Sequence, residues 1–385
     1  MTRRRPVPGF AGRPLVTPLY PSVVYATDTP DTLDAIYEDG GGYTYSREGH
    51  PNARALAQQI DALEGAEGGV TVSSGMAAVS LALLAVLEAG DHVLGSDQLY
   101  GRSLRLMTED LPRLGITTGL FDPTDAASAE ALIQPETKAI LVEVVANPTL
   151  RIADMEGLAA LAEARGLTLI VDNTFTTPLG FRPLERGAAI VLHSVTKLLS
   201  GHSDAMLGWV GCKNATLAAR LDTLAATWGM TAAPFDCWLA ERGLLSFELR
   251  HAKAQANAAA LADALATCAG VKRVLYPGRP DHPDHNRAAA LLGTAPGTMV
   301  SFEIEGGRGA ANRLAEVAEV AFAPTLGDVA TTLSHPASSS HRAVPEDARE
   351  AIGISEGFFR VSVGIEDETA LVDTFRAAVA AARAV

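Results

Sequence analysis

A lone lysine among small polar residues is the strongest chemical signal in the chain. It ends Ser194-Val-Thr-Lys197, which follows the apolar run Ala188–Leu192, a predicted buried strand. Lysine is rarely buried without a partner, and desolvation lowers the pKa of an amine, so that part of it becomes neutral and nucleophilic. Flanked by the Ser194 and Thr196 hydroxyls, Lys197 suits a Schiff base with an aldehyde cofactor. The alternative is an amphipathic lysine whose amine reaches solvent from a helix start.

A carboxylate also follows an apolar segment, in Val171-Asp172-Asn173-Thr174. A buried aspartate needs a partner, and the protonated ring nitrogen of a cofactor is one such partner. A local Asx turn or a helix N-cap explains Asp172 equally well.

The segment Ser74-Gly75-Met76 lies at a predicted strand-to-helix junction. Exposed amides and the helix dipole make such a junction an anion site, and glycine allows close approach to the backbone. A serine N-cap alone also accounts for the pattern.

Two further side chains are candidates for contact with a ligand. Tyr100 follows a strand and a turn, where its ring face can meet an aromatic ligand, unless it is an ordinary core tyrosine. Arg360 lies in the apolar alternating segment Phe358–Val363, where an inward guanidinium needs a carboxylate or phosphate. An internal salt bridge or an outward strand face is the alternative for Arg360.

Composition limits the function classes. The chain has 385 residues, 48% of them hydrophobic, and a formal net charge of −14, which argues against nucleic-acid or anionic-membrane partners. Its longest apolar runs are too short for a membrane span. Three widely spaced cysteines indicate neither a disulfide framework nor a metal site, so we expect a cytoplasmic protein without a metal.

Alternating strand and helix patterns between residues 46 and 243 predict an α/β domain with a mostly parallel central sheet. After Gly243 a long Ala-rich helix, Phe247–Cys268, leads into a smaller C-terminal α+β domain, residues 244–385. Residues 1–45, with a strand-like Leu15–Tyr25, form an N-terminal arm expected to contact a neighbouring subunit.

Together these residues resemble the Cys/Met-metabolism (transsulfuration) family of pyridoxal 5'-phosphate (PLP) enzymes, from about Pro18 to the C-terminus. The resemblance implies a fold type I, aspartate aminotransferase-like architecture. Each block is short, but their order along the chain is specific. The blocks are Tyr45-Ser-Arg47, Ser73–Ala78, Leu99-Tyr-Gly101, Asn147-Pro-Thr149, Val171–Thr174, Ser194–Lys197, Gly201–Asp204, Pro234–Asp236, Arg242-Gly-Leu244, Leu326-Gly-Asp328, His335-Pro-Ala337 and Arg360–Gly364.

The resemblance also implies roles. Lys197 would carry PLP and move protons between substrate carbons, Asp172 would keep the pyridine nitrogen protonated, and Tyr100 would stack on the ring. Arg360 would clamp the substrate α-carboxylate beside Thr325. The remaining cofactor contacts would be Asn147 near the ring oxygen, Ser74, Gly75, Met76, Ser194 and Thr196 at the phosphate, and Tyr45 and Arg47 reaching that phosphate from a neighbouring subunit.

The function implied is a carbon–sulfur lyase that eliminates thiol from methionine, homocysteine or cystathionine-like substrates and leaves a keto acid and ammonia. The alternative within the family is γ-replacement on O-acetyl- or O-succinylhomoserine, by a sulfhydrylase or a cystathionine γ-synthase. A catalytically silent PLP-fold protein used for binding or regulation is the alternative of another class. The family usually forms homotetramers, dimers of dimers.

Some positions depart from the family pattern. Pro324 replaces a glutamate common in members that handle cystathionine, and Arg102 stands where methionine-degrading lyases tend to have cysteine. His50-Pro51-Asn52 replaces the common Asn-Pro-Thr, and Thr325 replaces a serine. These positions leave the leaving group open, since differences of ~1–3 kcal/mol at a distal group switch substrate preference.

Overall fold

The chain builds two β-sheets, described here from a computed structural model that covers residues 12–342 and 344–383. The larger sheet has seven strands in the order β1-β7-β6-β5-β4-β2-β3. Its strands are β1 (Gly68–Val72), β2 (His92–Ser96), β3 (Thr117–Phe121), β4 (Thr137–Glu143), β5 (Thr168–Asp172), β6 (Ile190–His193) and β7 (Gly208–Cys212).

Five neighbouring strands of this sheet run parallel, from β3 through β2, β4 and β5 to β6, whereas β7 is antiparallel to β6 and β1. The central strands are almost continuously buried, as expected for a sheet covered by helices on both faces. This confirms the predicted mostly parallel central sheet.

Helices connect the strands and cover the sheets. Ser74, Asp154 and Asn214 each cap a helix of the first part through the side-chain oxygen. The helices are α1 (Pro30–Asp39), α2 (Pro51–Glu64), α3 (Gly75–Leu84), α4 (Gly101–Arg105), α5 (Leu111–Arg113), α6 (Ala126–Glu130), α7 (Met155–Arg165), α8 (Thr177–Gly180), α9 (Ala215–Thr227), α10 (Pro234–Leu244), α11 (Phe247–Ala266), α12 (His285–Leu292), α13 (Gly307–Val317), α14 (Glu346–Ala351) and α15 (Glu368–Ala382).

The second sheet has five strands in the order β10-β11-β12-β9-β8 and is antiparallel except between β10 and β11. Helices α11, α13 and α15 cover it, and their apolar faces enclose a core around Phe302, Phe359 and Phe375. This confirms the smaller α+β part, although the domain boundaries themselves remain a prediction. Its strands are β8 (Val271–Leu275), β9 (Met299–Ile304), β10 (Ala321–Phe322), β11 (Thr332–Ser334) and β12 (Phe358–Ser362).

The expectation of a strand at Leu15–Tyr25 is wrong. This Pro-containing segment is extended, but only Val24 pairs with another backbone segment, in an isolated bridge to Tyr45. A strand needs a neighbouring strand for its N–H and C=O groups, and the arm instead lies against helices, where the Trp238 indole donates to Thr17 O (3.0 Å). Among the described residues, no helix is long and apolar enough to cross a membrane.

Two buried histidines predict acid sensitivity. Burial lowers the pKa of His251 and of His341 to about 4, so each ring stays neutral in the folded chain while it takes up a proton in the unfolded chain below pH 6.5. The folded state therefore loses stability as the pH falls from about 6.5 towards about 4, by roughly 1.4 kcal/mol per pH unit for each histidine.

His251→Gln is expected to make this loss of unfolding free energy shallower, as measured by urea unfolding at about pH 7 and about pH 5. His202→Gln, which changes an exposed histidine, is the control. An unchanged slope in His251→Gln would refute the assignment to this ring.

Candidate active site

The candidate residues meet at the carboxyl edge of the central sheet. The adjacent parallel strands β2, β4, β5 and β6 end here and lead into Tyr100, Asn147, Asp172 and Ser194 to Lys197. Parallel strands present their carboxyl ends at one edge, which is where ligands bind in open α/β sheets. The fold therefore brings together four segments that lie 97 residues apart at their extremes, from Tyr100 to Lys197.

Lys197 follows β6 in a turn in which its N–H bonds to Ser194 O (3.1 Å) and its own carbonyl accepts from Gly201 N (2.9 Å). Burial lowers the pKa of the Lys197 amine, and the positive charge of Arg360 lowers it further. Both causes favour the neutral amine, which is the nucleophilic form. The alternative, a lysine whose amine simply reaches solvent, gives no reason for the positive charge of Arg360 to lie beside Lys197.

The amino end of α3 touches the lysine-bearing segment. Ser74 caps this helix, since its Oγ accepts from Ala77 N (3.1 Å), and the amides of Gly75 and Met76 belong to the first turn, where amides have no partner within the helix. A Cβ added at Gly75 would lie 2.6 Å from Ser194 Cβ and 2.7 Å from Ser194 Oγ. The N-cap alternative is thus correct for Ser74, and the same geometry leaves amides available for an anion.

Gly75→Ala is expected to weaken PLP binding and to lower the free energy of unfolding by roughly 1–3 kcal/mol, because the new methyl group must displace Ser194. Fluorescence titration of the apoprotein with PLP and urea unfolding measure the two effects. Gly41→Ala is the matched control, since its Cβ would meet nothing within 4 Å. Equal behaviour of the two variants would contradict the close-approach role of Gly75.

The hydroxyl groups of Thr196 and Ser194, near the start of α3, differ in whether they are free to donate to a ligand. Thr196 Oγ1 donates to Leu207 O (3.1 Å) and accepts from Leu207 N (2.9 Å), so its proton is directed at the backbone. Ser194 donates its N–H to Thr174 Oγ1 (2.8 Å), and its hydroxyl has no partner among the described residues. Ser194 is therefore the better placed of the two as a hydroxyl donor to a phosphate.

Asp172 ends β5 and sits beside a second carboxyl group. The Thr174 N–H donates to Asp172 Oδ1 (3.0 Å), so the Asx-turn interpretation is correct locally. Burial raises the pKa of Asp172, and the hydrogen bonds from Thr174 oppose that shift. Its partner in the β4–β5 register is Glu143, which sequence reasoning missed.

Arg360 lies on β12 and is 5% exposed, so its strand face is inward. Its Nη1 donates to Asn147 Oδ1 (2.7 Å) and its Nη2 donates to Thr325 O (2.7 Å), while Nε is buried without a partner among the described residues. No carboxylate of the described chain pairs with it, and burial lowers its pKa to about 10. A buried guanidinium without an anion is a site for one.

Thr325 takes part in this contact through its main-chain carbonyl oxygen, which accepts from Arg360 Nη2. The loop that carries it packs on the lysine segment, since a Cβ at Gly327 would lie 2.5 Å from Leu198 N and 2.7 Å from Lys197 C. The second sheet thereby supplies one wall of the site.

Tyr100 is 41% exposed at the start of α4, which excludes an ordinary core tyrosine. Tyr45 and Arg47 are both exposed at the surface. The Arg47 guanidinium stacks over the Tyr45 ring at 5.4 Å and donates to Ala226 O (3.0 Å). Both side chains are accessible to another molecule, as a contact from a neighbouring subunit requires.

The model of the family described as "Cys/Met metabolism PLP-dependent enzyme" matches residues 10–380. The chain belongs to this family. It is 42% identical over 342 residues to cystathionine beta-lyase MetC of Bacillus subtilis, with 89% of this chain and 87% of that protein covered. It is 35% identical to L-methionine gamma-lyase of Porphyromonas gingivalis, with 92% and 89% covered.

Solved structures of similar proteins support the same family assignment. Cystathionine gamma synthase of Xanthomonas oryzae, in complex with aminoacrylate and cysteine, superposes with a TM-score of 0.90 at 37% identity, covering 96% of this chain and 94% of that one. A Campylobacter jejuni protein assigned as an O-acetylhomoserine (thiol)-lyase, with a pyridoxyl-lysine, gives 0.91 at 27% identity and 95% coverage of both. The fold is that of the fold type I PLP enzymes, and the cofactor is PLP.

The residues present fit this cofactor. The amides of Gly75 and Met76 and the Ser194 hydroxyl suit a phosphate, Asp172 suits a pyridinium nitrogen, and Lys197 suits an aldehyde. The buried orphan Nε of Arg360 suits an amino-acid carboxylate. The chain is thus a PLP-dependent enzyme of the Cys/Met-metabolism family, and the carbon–sulfur lyases named above are among its relatives.

Proposed function

We propose that the enzyme eliminates thiol from a small sulfur amino acid, with methionine, homocysteine and cystathionine-like compounds as the substrate class. The observation that carries the proposal is the proximity of two groups: buried Arg360, which pairs with no carboxylate of the described residues, and half-buried Lys197, whose pKa is lowered. A cation fixed for a carboxylate next to an amine whose pKa is lowered is what α-proton removal from an amino acid requires.

PLP, when bound, withdraws electrons from the α-carbon. The chain's residues then have separate tasks. Arg360 holds the substrate carboxylate, which fixes the α-carbon relative to Lys197. Lys197 takes the α-proton and returns it elsewhere on the carbon chain. Asp172 keeps a proton on the ring nitrogen, and Tyr100, at the open side of the site, assists the departure of the thiol.

The test is a product assay on PLP-loaded protein with methionine, cystathionine, cysteine, homocysteine and the O-acylhomoserines, each with and without added thiol. A keto acid and ammonia released from a sulfur amino acid without added thiol would support the lyase and name its substrate. Thioether or homocysteine formed only from an O-acylhomoserine plus thiol would establish γ-replacement instead.

The relatives carry both chemistries, since the similar cystathionine gamma synthase structure belongs to a synthase. We place elimination first because the similar relatives include two lyases of Bacillus subtilis, cystathionine beta-lyase MetC at 42% identity and cystathionine gamma-lyase at 39%. Arg102, exposed in the first turn of α4 beside Tyr100, is positioned to attract an acidic distal group, which a succinyl ester or cystathionine would supply.

We also propose a homo-oligomer, a dimer at least and a dimer of dimers by family resemblance, in the cytoplasm. Large apolar side chains are exposed along the N-terminal arm and near α9 to α11, which indicates a surface for another copy. They include Leu15, Val16, Val23, Val24, Tyr37, Trp228, Phe235, Leu245 and Leu249.

Co-expression of Lys197→Ala and Arg47→Ala subunits is expected to restore about a quarter of wild-type activity, although each variant alone is impaired. Random pairing makes half of the dimers mixed, and each mixed dimer has one site with both residues intact. The control mixes Lys197→Ala with Asp172→Ala, two residues of one subunit's own site, and recovers nothing. No recovery with Arg47→Ala would mean that Arg47 does not act across subunits.

A further inference from the structure

Glu143 is a buried carboxyl group that no role described so far uses. It is the last residue of β4 and is 8% exposed. Its Oε1 accepts the backbone N–H of Tyr100 at 2.5 Å, and the backbone N–H of Asn147 also bonds to it. Across the sheet its register partner is Asp172. One side chain therefore touches or faces three of the residues placed around the cofactor.

The two amides that bond to Glu143 belong to loops and not to strands of the sheet. Tyr100 lies in the connection between β2 and α4, and Asn147 lies in the connection after β4, where its side chain also receives Arg360 Nη1 (2.7 Å). Loops are less fixed than the strands that carry them. A carboxyl group that accepts an amide from each loop ties both to the sheet edge.

The neighbouring acid decides the charge of Glu143. Two carboxylates side by side in a buried site do not both ionise, so the pair holds one proton. Burial and the charge of Asp172 raise the pKa of Glu143 well above its usual range. Asp172 is less buried and receives hydrogen bonds from the N–H and the hydroxyl of Thr174, which favour its charged form.

We propose that Glu143 is a positioning residue that anchors the Tyr100 and Asn147 loops and carries the proton of the Glu143–Asp172 pair, which leaves Asp172 ionised for the cofactor. The acid form keeps its carbonyl oxygen free to accept from Tyr100 N–H, so anchoring and neutrality are compatible. The proposal rests on the proposed cofactor contacts of Tyr100, Asn147 and Asp172.

The experiment compares Glu143→Gln and Glu143→Ala with wild type, as full-length apoprotein and as PLP-loaded enzyme. Glutamine mimics the protonated acid, whereas alanine removes the acceptor. We expect Glu143→Gln to keep the slow hydrogen exchange of the Tyr100 amide and near wild-type PLP affinity. Glu143→Ala is expected to lose that protection and at least about tenfold in PLP affinity, the usual effect of orphaning a buried donor.

Infrared spectroscopy of the wild-type apoprotein tests the proton directly, since a buried protonated carboxyl group has a C=O band that Glu143→Gln removes. The control is Glu303→Gln, which alters a buried acid bound to Lys272 and Arg273 in the second sheet and leaves the Tyr100 amide unaffected.

Glu143→Gln as impaired as Glu143→Ala, or no band lost in Glu143→Gln, would overturn the neutral form. Unchanged Tyr100 exchange in Glu143→Ala would overturn the anchoring, and if that variant does not fold, exchange and the infrared band in Glu143→Gln still decide. Amide exchange and the infrared band concern the protein alone. Failure of wild type to bind PLP would instead refute the proposed function.

Discussion

Lys197→Ala is expected to lower kcat/KM for the preferred sulfur amino acid by at least about 10³-fold, since one change removes both the covalent attachment and the base. The purified variant should also lose the absorption band of lysine-bound PLP while it still binds the cofactor through Asp172 and the α3 amides. Steady-state product release and an absorption spectrum measure the two effects.

Lys138→Ala, which changes an exposed lysine on β4, is the control for loss of a positive charge and should match wild type. The assignment of Lys197 would be wrong if Lys197→Ala kept the absorption band of the native enzyme. Activity within a few-fold of wild type would equally exclude Lys197 as the base.

Arg360→Lys should lower kcat/KM by about 100-fold, mainly through a higher KM, although it keeps the positive charge. The Arg360 guanidinium donates to Asn147 and Thr325 and still has Nε available for the ligand. The single ammonium group of a lysine cannot reproduce this planar set of donors. The loss of one or two charge-assisted hydrogen bonds, at ~1.5–3 kcal/mol each, gives this magnitude. Steady-state kinetics with a range of substrate concentrations separates KM from kcat.

The matched control is Arg287→Lys, because Arg287 likewise uses two guanidinium donors, which it directs at the backbone carbonyls Ile152 O and Thr124 O. It should leave KM unchanged. A normal KM in Arg360→Lys, or an equal loss of PLP affinity in both variants, would show that Arg360 does not bind the substrate carboxylate.

The sequence predicts several site residues because polar side chains follow apolar runs at the ends of strands. Asp172 directly follows such a run, Lys197 comes in the turn after Ala188–Leu192, and parallel strands necessarily bring their carboxyl ends to one edge. Glu143 follows the apolar run Ile140–Val142 in the same way, so the same signal was present and was not used. Local contacts such as the Ser74 cap were likewise foreseeable.

Other features depend on tertiary contacts that no local pattern encodes. The inward face of Arg360 is set by pairing of β12 with β9 and β11, because alternation alone does not say which face is buried. The Leu15–Tyr25 arm has the composition of a strand, but among the described residues it forms only the isolated bridge between Val24 and Tyr45. The contact of the Thr325 carbonyl with Arg360 also depends on how the loop is held against Lys197.

The electrostatic effect of Arg360 on Lys197 has a thermodynamic consequence. Arg360 depresses the basicity of Lys197, so any carboxylate that neutralises Arg360 restores part of that basicity. Ligand binding and proton uptake are then linked functions, and each must change the other by the same factor. Without substrate, Lys197 is a weaker base. When the carboxylate of an amino acid binds to Arg360, Lys197 becomes a stronger base, so substrate binding itself favours removal of the substrate's α-proton by Lys197.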